Sequence, residues 1–152
     1  MIPITKPTIG EAEVEAAATA LRSGWVSQGP AVAKFEQAFA AFVDAPYACA
    51  VSNCTTALHL ALLVVGVKPG DEVITVSHSF IATANSIRYC GGLPVFVDIV
   101  PDTFNLDLSR LEAAITERTQ AILCVHQVGM PCDLAGILEI AAKHGLPVIE
   151  DA

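Results

Sequence analysis

The feature that most constrains the fold is a regular alternation of strand-like and helix-like segments, which begins at Tyr47 and continues to Ala152. Short apolar runs bounded by Gly, Pro or polar residues are typical of strands, and they occur at 48–52, 72–76, 94–98, 121–125 and 147–150. Between them, patterns typical of helices cover 55–65, 81–90, 108–116 and 134–144. Strands that alternate with helices predict right-handed βαβ units. We therefore expect an α/β fold with a mainly parallel sheet and helices on both faces.

The first 46 residues differ from the rest because they show helix patterns and no strand pattern. Residues 10–23 predict one helix, which Gly24 ends. A loop follows as far as Pro30, and a second amphipathic helix is indicated by apolar residues at helical spacing, namely Val32, Phe35, Phe39 and Phe42. We therefore predict a helical segment with a loop over 1–46 and an α/β domain over 47–152.

The last strand pattern, at 147–150, reaches its carboxyl end at Asp151 without a covering helix after it. A buried strand that lacks this cover would leave apolar faces and a strand edge exposed. We therefore expect the α/β domain to be partial, with its carboxy-terminal remainder absent after the strand that carries Asp151.

Composition narrows the classes of partner. The formal net charge is -8, and the 8 Lys and Arg residues are dispersed, so no basic run is available to bind a nucleic acid or an anionic membrane. The longest apolar run, 58–67, is shorter than the ~20 residues of a membrane helix. The chain starts without a signal-peptide pattern, and its 5 cysteines are scattered, as is typical of free thiols. We expect a cytoplasmic protein without nucleic-acid or membrane partners.

Two loops at the predicted carboxyl ends of strands carry candidate binding residues, because ligands of open α/β sheets bind at that edge. In the first, the helix predicted from Thr55 has free N–H groups at its start, which could bind a phosphate together with the hydroxyls of Thr55 and Thr56. Ordinary capping by Asn53 or Thr55 would produce the same pattern. In the second, Phe80 could stack on a flat ring or pack in the core.

A third candidate is the pair Glu150 and Asp151 at the end of the last strand. If the two side chains alternate across the strand, one carboxylate can face the ligand crevice and bind a protonated pyridine nitrogen. A helix-capping role is the alternative. A phosphate site, a stacking aromatic ring and such a carboxylate are together what pyridoxal phosphate requires.

These segments resemble the DegT/StrS family of pyridoxal-phosphate-dependent sugar aminotransferases, a branch of the aspartate aminotransferase type I fold. The similarity extends nearly end to end, and the motifs that carry it lie at 23–30, 52–59, 69–74, 125–131 and 148–152. The resemblance implies the large domain of a type I transferase. It also implies that the loop from Trp25 to Gly29 lies near the substrate.

The same resemblance assigns site residues by position. Thr55 and Thr56 would contact the cofactor phosphate, with Cys54 beside them where many relatives have Gly. Phe80 would stack on the pyridine ring, and Asp151 would act in catalysis as the partner of the pyridine nitrogen. No metal is expected.

The family's Schiff-base lysine is implied to lie a few tens of residues beyond Asp151, outside this chain. None of Lys6, Lys34, Lys68 and Lys143 matches its motif. The expected reaction of the intact protein is transfer of an amino group, from glutamate, to a keto-sugar nucleotide, within polysaccharide or antibiotic sugar biosynthesis. We expect a homodimer, and we expect the chain as given to bind the cofactor weakly and to be inactive.

Other functions remain open at this point. A dehydratase of the same family would carry His at the position of the lysine. A thiol enzyme would use Cys54, whose pKa a helix start would lower, with His59 one turn away. The residues Cys124, His126 and Cys132 lack the paired spacing of a structural zinc site. A non-catalytic phosphate- or nucleotide-binding module is the alternative of another class.

Overall fold

The computed structural model describes residues 6–152, which divide into two units between Ala50 and Val51. The first unit is helical and the second is an α/β unit. The division that the sequence predicts, between residues 46 and 47, stays a prediction.

The first unit contains helices α1 (Glu11–Arg22) and α2 (Pro30–Phe42), where helices were predicted. The Glu13 carboxylate accepts the Gly10 N–H at 2.6 Å, and this contact satisfies a donor at the start of α1. Pro30 occupies the first turn of α2, where its missing N–H costs nothing. No residue of either helix is buried within the described part of the chain. The apolar face of α2, including Phe42, is therefore exposed.

The second unit is built on a four-stranded parallel sheet in the order β2-β1-β3-β4. The strands are β1 (Glu72–Val76), β2 (Leu93–Val97), β3 (Thr119–Val125) and β4 (Val148–Asp151). Every residue of β1 is buried, so the sheet is covered on both faces at its centre. The predicted parallel α/β architecture is confirmed.

Four helices accompany the sheet: α3 (Cys54–Val64), α4 (Ile81–Tyr89), α5 (Leu108–Leu111) and α6 (Leu134–His144). Helix α3 packs against α4 and β4, and α5 packs against α6. The core between these elements and the sheet is apolar, and its largest side chains are fully buried: Leu62, Ile74, Ile87, Leu111, Ile122, Leu123 and Ile137.

Two predicted elements differ from the structure by more than two residues at an end. The helix predicted over 108–116 stops at Leu111 and continues as a short 3-10 turn, Glu112–Ala114. The helical backbone ends at Ile115, which is extended, and the Thr116 hydroxyl after it donates to the Glu72 carboxylate at 2.6 Å, at the start of β1.

The strand predicted over 48–52 is wrong for the described chain, because those residues belong to no strand. A strand needs a neighbour whose backbone pairs with it, and nothing within residues 6–152 pairs with this segment. The Ala50 N–H instead donates to the Glu36 carboxylate at 2.8 Å.

Across residues 6–152, none of the helices combines the length and the apolar character needed to cross a membrane.

Candidate functional site

The carboxyl edge of the sheet has a reversal of strand order between β1 and β3, the position at which open α/β sheets bind ligands. The loops after these two strands are joined there, since the buried Gln127 side chain donates to the His78 carbonyl. The rings of His78 and Phe104 also lie 5.6 Å apart, centroid to centroid. The loops at this edge are therefore held together by contacts within the second unit.

Helix α3 starts at this edge, and N–H groups in its first turn have no partner within the helix. Asn53 caps the helix, and its side-chain oxygen accepts the Thr56 N–H at 2.9 Å and the Thr56 hydroxyl at 3.1 Å. Capping by Asn53, which was the alternative to a phosphate site at this helix start, is therefore present. The helix itself supplies no partner for the N–H groups of Cys54 and Thr55. These groups and the positive end of the helix dipole can bind an anion.

Asp151 ends β4 beside the start of α3. Its Oδ2 atom accepts a hydrogen bond from the Thr83 hydroxyl at 2.9 Å, and its Oδ1 atom accepts one from the Cys54 thiol at 3.5 Å. The structure thus brings together Cys54 and Asp151, which are 97 residues apart in the sequence. A carboxylate and a potential anion site therefore adjoin each other.

Glu150 has different partners from those of Asp151. The Nδ1 atom of His126 accepts the Cys132 N–H at 3.0 Å, so the ring proton is on Nε2, which contacts the Glu150 carboxylate at 2.9 Å. The two carboxylates alternate across the strand as the sequence predicts, and only Asp151 contacts α3 and α4. Within residues 6–152 there is no group of three or more side chains that could hold a metal ion.

Phe80 lies at the N-cap of α4, and 78% of its surface is exposed. The alternative that Phe80 packs in the core is therefore wrong. Its ring is free to contact a ligand. Thr83, in the first turn of the same helix, contacts Asp151, so one helix start carries both the exposed ring and a partner of the carboxylate.

A cavity of about 110 Å³ lies between the end of β1, the start of α4 and Phe96 of β2. Its lining includes Thr75, Ser79, Phe80 and Thr83. The Thr75 hydroxyl is buried and has no hydrogen-bond partner in the described chain. A buried hydroxyl without a partner costs free energy. The Thr83 hydroxyl lines the same cavity and does have a partner, Asp151.

The Cys54 thiol does not have the properties of a nucleophile. Partial burial and then the negative charge of Asp151 raise the pKa of Cys54 above its ordinary value. A thiol enzyme requires the opposite shift. His59, the base considered for that hypothesis, packs edge-on against the ring of Tyr89 at 5.7 Å. These contacts oppose the thiol-enzyme hypothesis.

In the first unit, the loop from Trp25 to Gly29 borders a cavity of about 300 Å³ between α1 and α2. Lys34 supplies the cationic side chain of its lining, and Trp25 is 60% exposed. The cavity combines an apolar wall, an aromatic ring and one cation. The part that the sequence predicts for this loop, proximity to the substrate, stays a prediction.

Sequence reasoning did not single out Thr83 or Ser79. The signal that could have found them is their spacing of four residues around a helix start, where the structure brings the two hydroxyls to 2.7 Å. Hydroxyl residues are common at helix starts, so the spacing alone would not have distinguished them.

The chain is similar to known proteins in both sequence and fold. Residues 7–152 match the DegT/DnrJ/EryC1/StrS aminotransferase family. The spore coat polysaccharide biosynthesis protein SpsC of Bacillus subtilis (strain 168) is 50% identical over 151 residues, which cover 99% of this chain and 39% of that protein. GDP-perosamine synthase of Caulobacter vibrioides (strain ATCC 19089 / CIP 103742 / CB 15) is 48% identical over 152 residues, with coverage of 99% and 41%.

Among solved structures, Spr1654 from Streptococcus pneumoniae in its PLP form is 33% identical, with a TM-score of 0.93 and coverage of 99% of this chain and 42% of that one. The same protein in its PMP form gives the same values. This chain therefore spans about two fifths of the length of the relatives that it matches.

Proposed function

The chain belongs to the DegT/DnrJ/EryC1/StrS aminotransferase family, and from this premise we propose that it is part of an enzyme that transfers an amino group from glutamate to a keto-sugar nucleotide. The proposed cofactor is pyridoxal phosphate. The relatives support the sugar substrate and the cofactor: SpsC concerns polysaccharide biosynthesis, GDP-perosamine is a nucleotide sugar, and Spr1654 was solved in PLP and PMP forms. A role in polysaccharide or antibiotic sugar biosynthesis is part of the proposal.

One observation carries the proposal: the Asp151 carboxylate lies beside the start of α3, in contact with Cys54. The donor set fits the cofactor. The N–H groups of Cys54 and Thr55, with the hydroxyl of Thr55, would hold the phosphate. The exposed ring of Phe80 would cover a face of the pyridine ring. Thr56 contributes less directly, since its N–H and hydroxyl are both bound to Asn53.

Asp151 would hold a proton on the ring nitrogen. A carboxylate close to a protonated nitrogen makes a charge-assisted hydrogen bond, which keeps the nitrogen charged. When bound, pyridoxal phosphate supplies an electron sink for chemistry at the carbon that carries the amino group. The contribution of the described residues is to bind the phosphate, orient the ring and hold that proton.

The described lysines of the second unit do not lie at this edge. Lys68 precedes β1 and Lys143 precedes β4, so both lie toward the amino ends of parallel strands, whereas Asp151 ends a strand. Lys143 also forms an ion pair with Glu112. The proposal therefore includes a cofactor-binding lysine beyond residue 152, as the resemblance to the family implies. A polypeptide of residues 1–152 alone should bind the cofactor weakly and catalyse no transfer.

The proposal extends to the assembly. The intact enzyme should be a cytoplasmic homodimer in which the loop from Trp25 to Gly29 lies near the substrate. The exposed apolar face of α2, with Phe35 and Phe39, is a surface that further protein could cover.

The test uses the intact protein, loaded with pyridoxal phosphate and supplied with glutamate and a panel of keto-sugar nucleotides. We expect one equivalent of 2-oxoglutarate for each sugar whose ketone is replaced by an amine, measured by mass spectrometry. Loss of a sugar hydroxyl without 2-oxoglutarate would instead identify a dehydratase. Binding of the nucleotide sugar without any conversion, across the panel, would favour a non-catalytic binding module.

A further inference from the structure

Asp151 is held on one side by a chain of two hydroxyl groups. The Thr83 hydroxyl lies 2.9 Å from Asp151 Oδ2, and the Ser79 hydroxyl lies 2.7 Å from Thr83 Oγ1. Thr83 is buried, with 2% of its surface exposed, so its hydroxyl is shielded from competing water. No part of the mechanism described above uses either hydroxyl.

The direction of the two hydrogen bonds, from Ser79 to Thr83 and from Thr83 to Asp151, follows from the donors available. An ionised carboxylate only accepts hydrogen bonds, so the single hydroxyl proton of Thr83 is donated to Asp151. Thr83 Oγ1 must then accept the proton of the Ser79 hydroxyl, although either atom could donate in isolation. Both hydroxyl protons therefore point toward the carboxylate. A protonated carboxyl at Oδ2 would reverse the direction of both hydrogen bonds.

The position of Thr83 links two parts of the proposed site. Thr83 lies in the first turn of α4, and its N–H donates to the Phe80 carbonyl at 3.1 Å. Its branched side chain has few rotamers, so the hydroxyl cannot swing far from Oδ2. The start of α4 thus fixes both the exposed ring of Phe80 and the oxygen of Asp151 that Thr83 binds.

We propose that Thr83 is the positioning residue for Asp151, and that Ser79 supports this role by donating a hydrogen bond to the Thr83 hydroxyl. This role rests on the proposed function, since it gives Asp151 a fixed orientation toward the ring nitrogen of pyridoxal phosphate. The remaining lone pairs of Asp151 stay available for that nitrogen. Within residues 6–152, Cys54 is the only titratable side chain that makes a hydrogen bond to Asp151.

Thr75 provides a matched control in the same cavity. Thr75 is buried like Thr83 and lines the same space, but its hydroxyl has no partner among the described residues. Thr83→Val and Thr75→Val therefore make the same chemical change, and only the first removes a hydrogen bond to Asp151. Thr83→Ser keeps the hydroxyl and should restore the wild-type property.

The measurement is a pH titration of the intact protein loaded with pyridoxal phosphate labelled with ¹⁵N at the ring nitrogen, followed by NMR. In Thr83→Val the midpoint for protonation of that nitrogen should fall by about one pH unit, because a less well-oriented carboxylate stabilises the proton less. Thr83→Ser and Thr75→Val should keep the wild-type midpoint. Ser79→Ala, a change at the half-buried outer end of the chain, should shift the midpoint in the same direction by less.

The outcomes separate the two proposals. If the wild-type protein binds the cofactor and neither Thr83→Val nor Ser79→Ala shifts the midpoint, the positioning role is overturned and the proposed function stands. If Thr75→Val shifts it as much as Thr83→Val, the effect belongs to the cavity and the role is also overturned. If the wild-type protein binds no cofactor, the proposed function fails and the role of Thr83 fails with it.

Discussion

The two carboxylates at the end of β4 are neighbours in sequence but have different hydrogen-bond partners. Asp151 faces the starts of α3 and α4, where its partners are a thiol and a hydroxyl. Glu150 contacts His126, which is fixed in turn by the Cys132 N–H. Strand alternation separates the two side chains, and the elements packed on each side determine their chemistry. Asp151 therefore adjoins the proposed cofactor site, whereas Glu150 contacts the histidine that accepts the Cys132 N–H.

The largest effect should come from replacing the Asp151 carboxylate by an amide in the intact protein, with the same change at Glu150 as the control. Asp151→Asn should lower kcat/KM for amino transfer by about 10²- to 10³-fold, because a charge that acts in the transition state is lost. Glu150→Gln should change it by less than about threefold, since its contact to His126 is remote from the ring nitrogen. Steady-state kinetics on both variants would decide, and equal losses would contradict the assignment.

The Glu150 side should matter for stability. His126→Ala should lower the free energy of unfolding by about 1–3 kcal/mol, because it leaves the N–H of the buried Cys132 without a partner. His144→Ala is the matched control: His144 also contacts a glutamate, Glu112, at 3.0 Å, but on the surface. Its loss should cost about 0–1 kcal/mol. Urea unfolding of the intact variants provides the measurement, and a cost for His126→Ala no larger than the control would contradict this account.

A smaller effect should distinguish two helix caps. Asn53→Ala removes the cap of α3 and Asp133→Ala removes the cap of α6, where the Asp133 carboxylate accepts the Gly136 N–H at 3.1 Å. Each should destabilise the protein by about 1 kcal/mol. Only Asn53→Ala should also weaken binding of pyridoxal phosphate, by about fivefold, since it disturbs the first turn of α3. Titration by absorbance would test this, and equal affinities of the two variants would argue against a phosphate at α3.

The smallest effect concerns the reactivity of Cys54. Because burial and the charge of Asp151 raise the pKa of this thiol, it stays neutral near pH 8 and should react slowly with iodoacetamide. In Asp151→Asn the negative charge is absent, so the thiol pKa should fall and the rate at a given pH should rise. The experiment uses a Cys49→Ser background, which removes the other exposed thiol among residues 6–152. The same rise in Glu150→Gln would show that Asp151 is not the cause.

Much of the fold could be predicted because its signals are local. The strand at 72–76 and the helix at 134–144 have the predicted bounds, since apolar runs and Gly or Pro punctuation determine them. The segment 48–52 was predicted as a strand from its apolar residues alone. Pairing depends on a distant neighbour, so local pattern could not reveal that no described residue pairs with it.

The site could be predicted only in part for a related reason. The start of α3 was predicted at Thr55, one residue after its observed start at Cys54, and the alternation of Glu150 and Asp151 followed from strand geometry. The contact between Thr83 and Asp151 joins residues 68 positions apart, so spacing along the chain carries no signal for it. Thr83 has the sequence character of an ordinary helix-start threonine.

The most direct test of the central claim is a crystal structure of the intact protein with bound pyridoxal phosphate. This account predicts the ring nitrogen within about 2.7–3.0 Å of an oxygen of Asp151 and the phosphate on the first turn of α3. A ring nitrogen without a carboxylate partner, or a phosphate bound away from Cys54 and Thr55, would contradict it.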